Sequence, residues 1–295
     1  MKFCNQCNSQ FDGNDFACPK CNTTTSITDH IIIHAPELAH GGGGFNPKTF
    51  EKLAKLEEKN FWFRARNELI IWLLNKFVLK NKDSRSLGKY LEIGCGTGYV
   101  LKGIKTAFRD TTVFGSEIFL SGLEQARCRL TDVSLMQMDA RAIPYKEEFN
   151  LIGAFDVLEH IKEDDKVISE IHRALTPNGI FIATVPQHKW LWSKMDDYAY
   201  HERRYQPNEL QEKMQTAGFE IIKTTSFVSL LIPLMYLARS QKIDDNKEFD
   251  PLAELALPPV MNMALYSIMK FELILIKMGI TFPFGGSRLV IGKKR

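Results

Sequence analysis

From Lys89 onward, short apolar runs alternate with segments whose apolar residues recur every three or four positions. The runs at 89–94, 111–116, 132–138, 150–156, 178–185, 219–225 and 287–293 predict strands. Between them, 99–108, 120–130, 163–175 and 207–217 predict helices. Pro177-Asn178-Gly179 predicts a turn at the start of the fifth strand. Repeated alternation of this kind predicts an α/β fold, a mostly parallel sheet with helices on both faces. Ahead of it, Leu53, Leu56, Phe61 and Phe63, then Leu69, Ile70, Leu73, Leu74 and Phe77 keep helical spacing. Residues 47–80 therefore read as helix, with Pro47 in the first turn. Between the last two strands an insertion, 226–286, holds the apolar stretch Ser229–Leu237, an acidic loop at 242–254 and a long apolar helix at about 260–279.

The first 21 residues carry a different pattern. Cys4-Asn-Gln-Cys7 and Cys18-Pro-Lys-Cys21 are two CxxC pairs ten residues apart. Such pairs place four thiolates around a structural zinc ion. Asn8 and Asn22 follow the second cysteine of each pair, where a knuckle turns tightly and Asn tolerates a left-handed backbone. Phe3, Phe11 and Phe16 are too small a core to fold alone, so the metal would supply the folding energy. Residues 29–46 read as a linker. Its histidines, His30, His34 and His40, are linker residues because four cysteines already complete a zinc site, and Gly41–Gly44 follow. The expected domains are a zinc ribbon at 1–28, the linker, a helical lid or bridge at 47–85 and a catalytic domain at 86–295.

Composition narrows the partners. The 295 residues are 44% hydrophobic and 25% charged, which excludes wholesale disorder. A net charge of +3, and two lysines against three aspartates in residues 1–30, argue against nucleic acid as a partner. Phe227–Leu237 is too short for a bilayer, and Lys270, Glu272 and Lys277 interrupt the longer stretch at 258–284. With no apolar leader at the N-terminus, a cytoplasmic location is expected.

The chemistry concentrates where strands end. Glu92-Ile-Gly-Cys-Gly-Thr-Gly98 closes the first strand with glycines that let a ligand approach the backbone. Tyr99 occupies a position that disfavours a dinucleotide fingerprint. Glu117 ends the second strand, where a carboxylate can hold two ribose hydroxyls. Met138-Asp139-Ala140 follows the third strand and Ala154-Phe-Asp156-Val157-Leu-Glu159-His160 the fourth. All four loops lie at carboxyl ends of strands and outline one nucleoside-sized cleft.

Taken together, these motifs make residues 89–225 resemble a class I S-adenosylmethionine-dependent methyltransferase. The resemblance implies a Rossmann-like seven-stranded sheet of order 3-2-1-4-5-7-6 with the last strand antiparallel, and S-adenosyl-L-methionine as cofactor. It assigns Glu92, Gly94, Cys95, Gly96 and Gly98 to the methionine portion, Glu117 to the ribose, Asp139 and Ala140 to the adenine, and Asp156 and Val157 to the methyl-donor pocket. Val185–Trp192, Asp196-Asp197 and His201-Glu-Arg203-Arg204-Tyr205 are similar to a subgroup that includes ubiquinone-pathway O-methyltransferases and enzymes of cell-envelope glycoconjugate pathways, as is Phe61–Arg66.

For the acceptor, the residues leave alternatives open. His160 is the first base candidate, oriented by Glu159, which can instead help bind a divalent metal; His201 is the second and His188 the third. Arg203 and Arg204 clamp an anionic substrate or form salt bridges. Trp190 and Trp192 wall the acceptor pocket or pack the loop to the core, and Trp62, Arg64 and Arg66 serve a lid or a packed helix. Tyr205 closes the substrate set. The insertion contacts a membrane surface, wraps a lipid-like substrate or forms a dimer interface. The leading expectation is methylation of a small molecule, at a hydroxyl of a hydrophobic or lipid-linked acceptor. The alternatives are an RNA or protein methyltransferase targeted by the ribbon, and a non-catalytic binding module.

Overall fold

The structure, a computed structural model, describes residues 1–4, 6, 7, 9–11, 17–41, 46, 49–79, 85–240 and 255–295, with side chains at 239 and 240 excepted. The expectations for Asn8, Pro47, the glycines at 42–44 and the acidic loop lie outside the described residues.

One sheet organises the chain. Its centre is β5 (Lys89–Ile93), flanked in parallel by β6 (Thr112–Glu117) and β8 (Phe149–Phe155). Beyond β6 lies β7 (Ser134–Gln137), and beyond β8 lies β9 (Leu175–Pro186). The last strand, β11 (Ser287–Lys294), is antiparallel to both β9 and β10 (Phe219–Phe227). This is the expected seven-strand order. Tyr90 and Leu151 face one core while Leu91 and Ile152 face the other, so helices cover both sides. On one side lie α3 (Tyr99–Ala107) and α4 (Leu120–Arg129); on the other lie α5 (Asp164–Ala174) and α7 (Glu209–Thr216).

The sheet has nine strands, not seven. The extra pair is β3 (Ser26–Thr28), from the end of the segment expected as zinc ribbon, and β4 (Ile31–Ile33), from the segment read as a linker. Asp29 and His30 both adopt positive φ, the geometry of a tight two-residue hairpin. β4 then runs parallel to β7 and buries Ile31 and Ile33 in the core. Three successive β-branched residues favour a strand over a linker. Gln137 locks the next residue, its amide pairing with the N–H and C=O of Ala35 at 2.9 and 2.7 Å. Half-buried His34 stands edge-on to Tyr145, and desolvation with nearby Lys2 lowers its pKa to about 4.

The N-terminal module, with β1 (Lys2–Phe3) and β2 (Gln10–Phe11), docks beside the loop after β7. The Phe3 N–H donates to Pro144 O at 3.0 Å, and the Arg173 guanidinium sits 4.4 Å from the Phe3 ring centroid.

The helix expected at 47–80 is broken into α1 (Phe50–Leu56) and α2 (Phe61–Phe77). Asn60 is extended and caps α2, accepting the Trp62 N–H at 2.9 Å. Its amide donates to Leu255 O, while Asn262 accepts the Phe61 N–H at 2.8 Å and donates to Lys59 O. Asn262 belongs to α9 (Pro259–Lys277), which packs along α2. The break therefore serves a clasp made with residues 195 or more positions away. The insertion's other helix is α8 (Ile232–Ser240), and a short α6 (Lys194–Tyr198) follows β9.

Candidate functional site

Strand ends, α1, α2, α6, α8 and α9 enclose one large cavity of about 1240 Å3. Its floor is the glycine loop. Gly94, Gly96 and Gly98 all have positive φ, and a Cβ on Gly94 would stand 2.5 Å from Val157 Cγ2. Cys95 lies in the loop with its side chain buried in the core, where burial raises its thiol pKa; it is a small packing residue. Glu92 is buried between Gly115 and Gly153 on the adjoining strands. The bare Gly153 leaves room for the Tyr90 hydroxyl, which donates to Glu92 at 2.9 Å. Burial pushes the Glu92 pKa up to about 8 against the pull of Tyr90 and Arg66. Such a carboxyl is poised to ionise beside an incoming cation.

Glu117 lies at the rim of this floor. Its oxygens accept N–H groups of Gly96 at 3.1 Å, Ile118 at 2.8 Å and Phe119 at 3.3 Å. Burial raises its pKa, and those donors oppose the rise. Asp139 and Ala140 line the cavity next to it, but Asp139 is already gripped by Arg141 at 2.9 and 3.1 Å. Asp156, with a positive φ of 56°, turns its carboxylate into the cavity. There it pairs with Arg66, whose guanidinium lies 4.3 Å from the Trp62 ring. Trp62 and Arg66 thus reach the cavity from α2, as a lid would.

A second polar cluster faces this floor. The ligand-type atoms of Glu159, His160 and His201 lie within 4.8 Å of one another, and the two imidazoles meet edge-to-face at 4.6 Å. Both Glu159 oxygens are buried without a hydrogen-bond partner among the described residues. Burial, reinforced by Asp156, pushes the Glu159 pKa well above the usual carboxylate range. His201 Nδ1 lies 2.8 Å from Asp196 Oδ1, which also accepts from Arg204 Nε at 2.7 Å. Burial works against ionisation of Asp196, but His201 and Arg204 overcome it and hold its pKa far below normal. An ionised Asp196 must accept, so Nδ1 of His201 is the donor, and in the neutral ring the lone pair then lies on Nε2. This arrangement can take a proton from a bound hydroxyl. The same three ligand atoms can also grip a divalent cation.

Other expected substrate residues are placed elsewhere. Arg203 pairs with Asp164 at 2.5 Å and Tyr205 donates to the same carboxylate at 2.6 Å; neither lines the cavity. Arg204 lines it and pairs with Asp196, so both arginines form salt bridges within the chain. His188 is stacked between Trp190 and Phe284, outside the lining. Trp192 lines the cavity and anchors its indole N–H on Asp197 at 2.8 Å, while Trp190 points outward and is half exposed.

Two roles were missed. Asp196 belongs to the block that resembles the subgroup, but its role as the tether of His201 was not read; it closes a capping box with Ser193, a signal present in the sequence. Glu57 on the lid side is buried, accepting from Thr97 Oγ1 at 2.5 Å and Arg129 at 2.8 Å, and so ties α1 to the glycine loop. The far end of the cavity is apolar, lined by Val228, Leu231, Leu234, Met235, Met261 and Leu265. No local motif marks Glu57, whereas the apolar residues fall in the insertion expected to wrap a lipid-like substrate.

At the N-terminus the four sulfurs also lie within 4.8 Å of one another. Cys4 to Cys21 and Cys7 to Cys18 are each 3.6 Å. A tetrahedral ion with bonds of about 2.3 Å spaces its thiolates by about 3.8 Å, so the set fits zinc. Asn22 has the expected left-handed φ, 57°.

Comparison with known proteins gives the family and the fold. The family described as methyltransferase domain matches residues 62–224. A "Probable S-adenosylmethionine-dependent methyltransferase" of Mycolicibacterium smegmatis is 29% identical over 183 residues, covering 60% of this chain and 67% of that protein. A ubiquinone biosynthesis O-methyltransferase of Histophilus somni is 24% identical over 164 residues, covering 50% of this chain and 67% of that one. Among solved structures, a S-adenosylmethionine-dependent methyltransferase from Thermotoga maritima superposes with TM-score 0.51 at 17% identity, covering 84% of this chain and 95% of that chain.

Proposed function

The chain belongs to the methyltransferase-domain family and is an S-adenosylmethionine-dependent methyltransferase, and on that premise we propose that it methylates a hydroxyl of a hydrophobic, lipid-linked acceptor. The observation that carries the acceptor class is the apolar lining from the insertion, in the same cavity as the glycine loop and His201. A cavity of about 1240 Å3 exceeds the usual range for one small ligand, about 300–1,000 Å3, and leaves room for donor and acceptor together.

The donor supplies a methyl group already activated on sulfur. The chain positions, shields and deprotonates. Glu92 and the glycine loop would hold the methionine end, Glu117 the ribose hydroxyls, and Asp139 with Ala140 the adenine edge. Asp156 and Val157 would border the methyl. Trp62, Trp192 and the helices of the insertion exclude water and align the acceptor oxygen, which supplies much of the acceleration. His201 Nε2 takes the hydroxyl proton as the new O–C bond forms and the S–C bond breaks, leaving S-adenosylhomocysteine. His160 packs against His201 and borders the same space. Cys4, Cys7, Cys18 and Cys21 would hold a structural zinc, which would fold the module that braces the loop carrying Asp139.

The test is transfer of labelled methyl from S-adenosylmethionine to polyprenyl phenols and alcohols, read in the organic extract. Label in a polyprenylated hydroxyl compound, absent with its methyl ether, supports the reading. Label in protein or in RNase-sensitive material instead would overturn it.

A further inference from the structure

The outer faces of α8 and α9 are apolar. On α9 and its C-cap, Val260, Ala264, Ser267, Phe271, Ile274 and Met278 fall on one helical stripe and all are exposed, Val260 and Met278 to 75%. Only Ser267 is polar, and the helix runs about 28 Å. A stripe of this size is uncommon on a protein that meets only water. On α8, Leu234, Tyr236 and Leu237 are exposed, and Tyr236 meets the exposed Trp190 edge-on.

Two observations say what covers this surface. The first is continuity with the cavity. Leu234 and Met261 each line the cavity and are each 51% exposed, so the apolar end of the site and the outer surface share residues. The second is charge. Lys277 ends α9. Lys223 reaches Thr281 just beyond it at 2.7 Å, and Lys76 lies close enough to Lys223 to help burial lower its pKa. None of these three lysines is engaged in a salt bridge among the described residues.

We infer that the α8–α9 face docks on an anionic phospholipid bilayer and that the acceptor enters the cavity from the lipid side, between the two helices. The inference rests on the lipid-linked reading above for the acceptor, but not for the docking. α9 lies along the bilayer surface and does not cross it. Its inner face is fixed to the body by Met269, Leu273 and Ile276 in the core, by Lys270 on Glu68, and by buried Glu272. The Glu272 carboxylate accepts the Ser229 and Leu230 N–H groups, both at 2.8 Å. An apolar stripe with a cationic end suits an interfacial helix.

The experiment is flotation of the purified full chain with vesicles of phosphatidylcholine, alone or mixed with phosphatidylglycerol. The expected result is partition into the mixed vesicles, weakened by salt. Phe271→Glu with Ile274→Glu should reduce partition about tenfold or more. Lys223→Glu with Lys277→Glu should remove the preference for phosphatidylglycerol and its salt dependence. None of the four residues lines the cavity, so both variants should keep wild-type affinity for S-adenosylmethionine, which shows them folded. Failure of wild-type chain to float with mixed vesicles would overturn the inference. So would equal partition into neutral vesicles, or a dimer in light scattering that Phe271→Glu dissolves and vesicles do not. Vesicle binding without methylation of any polyprenyl acceptor would overturn the acceptor assignment alone.

Discussion

The two ends of the cavity are built by different means. The donor end stands on strand termini, with polar groups that arrive one per strand: Glu92, Glu117, Asp139 and Asp156. Each is positioned within a few residues of its own strand, and the glycine loop is held by its own backbone geometry. The acceptor end stands on segments from α1, α2, α6, α8 and α9, which are brought together by packing and by hydrogen bonds between remote positions. Its polar anchors join positions far apart in the chain, as Asn60 does with Leu255 and Phe61 with Asn262. A site can therefore be local and polar at the end shared with many enzymes, and long-range and apolar at the end that chooses the partner.

That contrast predicts separable losses. His201→Ala should lower kcat by about 10²–10⁴-fold and leave donor affinity unchanged, as read by labelled turnover and by calorimetric binding. Equal damage to donor binding would merge the two ends. Arg66→Met removes the partner of Asp156 at the seam between lid and strand end. Breaking a pair this buried should cost about 3 kcal/mol, seen as a lower Tm by scanning calorimetry. An unchanged Tm would mean the lid is not fastened there.

Proton linkage sharpens the donor end further. In the free protein Glu92 titrates at about 8, above its unfolded value of 4.5. The native state then binds the extra proton, so this group's contribution makes stability fall as pH rises from 4.5 to 8. A cationic donor favours the ionised form. Binding at pH 7 should release up to about one proton, and affinity should rise with pH, by at most about tenfold per unit, until pH passes about 8. Titrations in buffers of different ionisation heat read this directly, and proton uptake would contradict it. The smallest effect belongs to the ribbon. Cys4→Ser should lose the bound zinc by elemental analysis and lower the main Tm by a few degrees, the scale of about 1 kcal/mol. Loss of all cooperative melting would make the ribbon part of the catalytic core.

The sequence made the donor end legible because strand, turn and helix there are contiguous. Its motifs lie where a parallel sheet must end, and Cys4 to Cys21 announce themselves by spacing. Residues whose partners are remote were not legible. Ile31–Ile33 read as linker because nothing local shows that β7 is an open edge awaiting them. Arg203 and Tyr205 read as substrate residues because Asp164, which holds both, lies about 40 positions earlier. The break at Asn60 depends on α9. Periodicity reports which face of an element is apolar, but not what covers it.

The central claim is that the strand-end carboxylates form a binding site for S-adenosylmethionine. Calorimetric titration of the zinc-replete chain with that ligand, repeated with Glu117→Ala, tests it most directly. The account predicts saturable binding by the wild type, weakened about thirtyfold or more in the variant, roughly 2 kcal/mol for charge-assisted hydrogen bonds to a ribose. No binding by the wild type, or equal binding by both proteins, would contradict it.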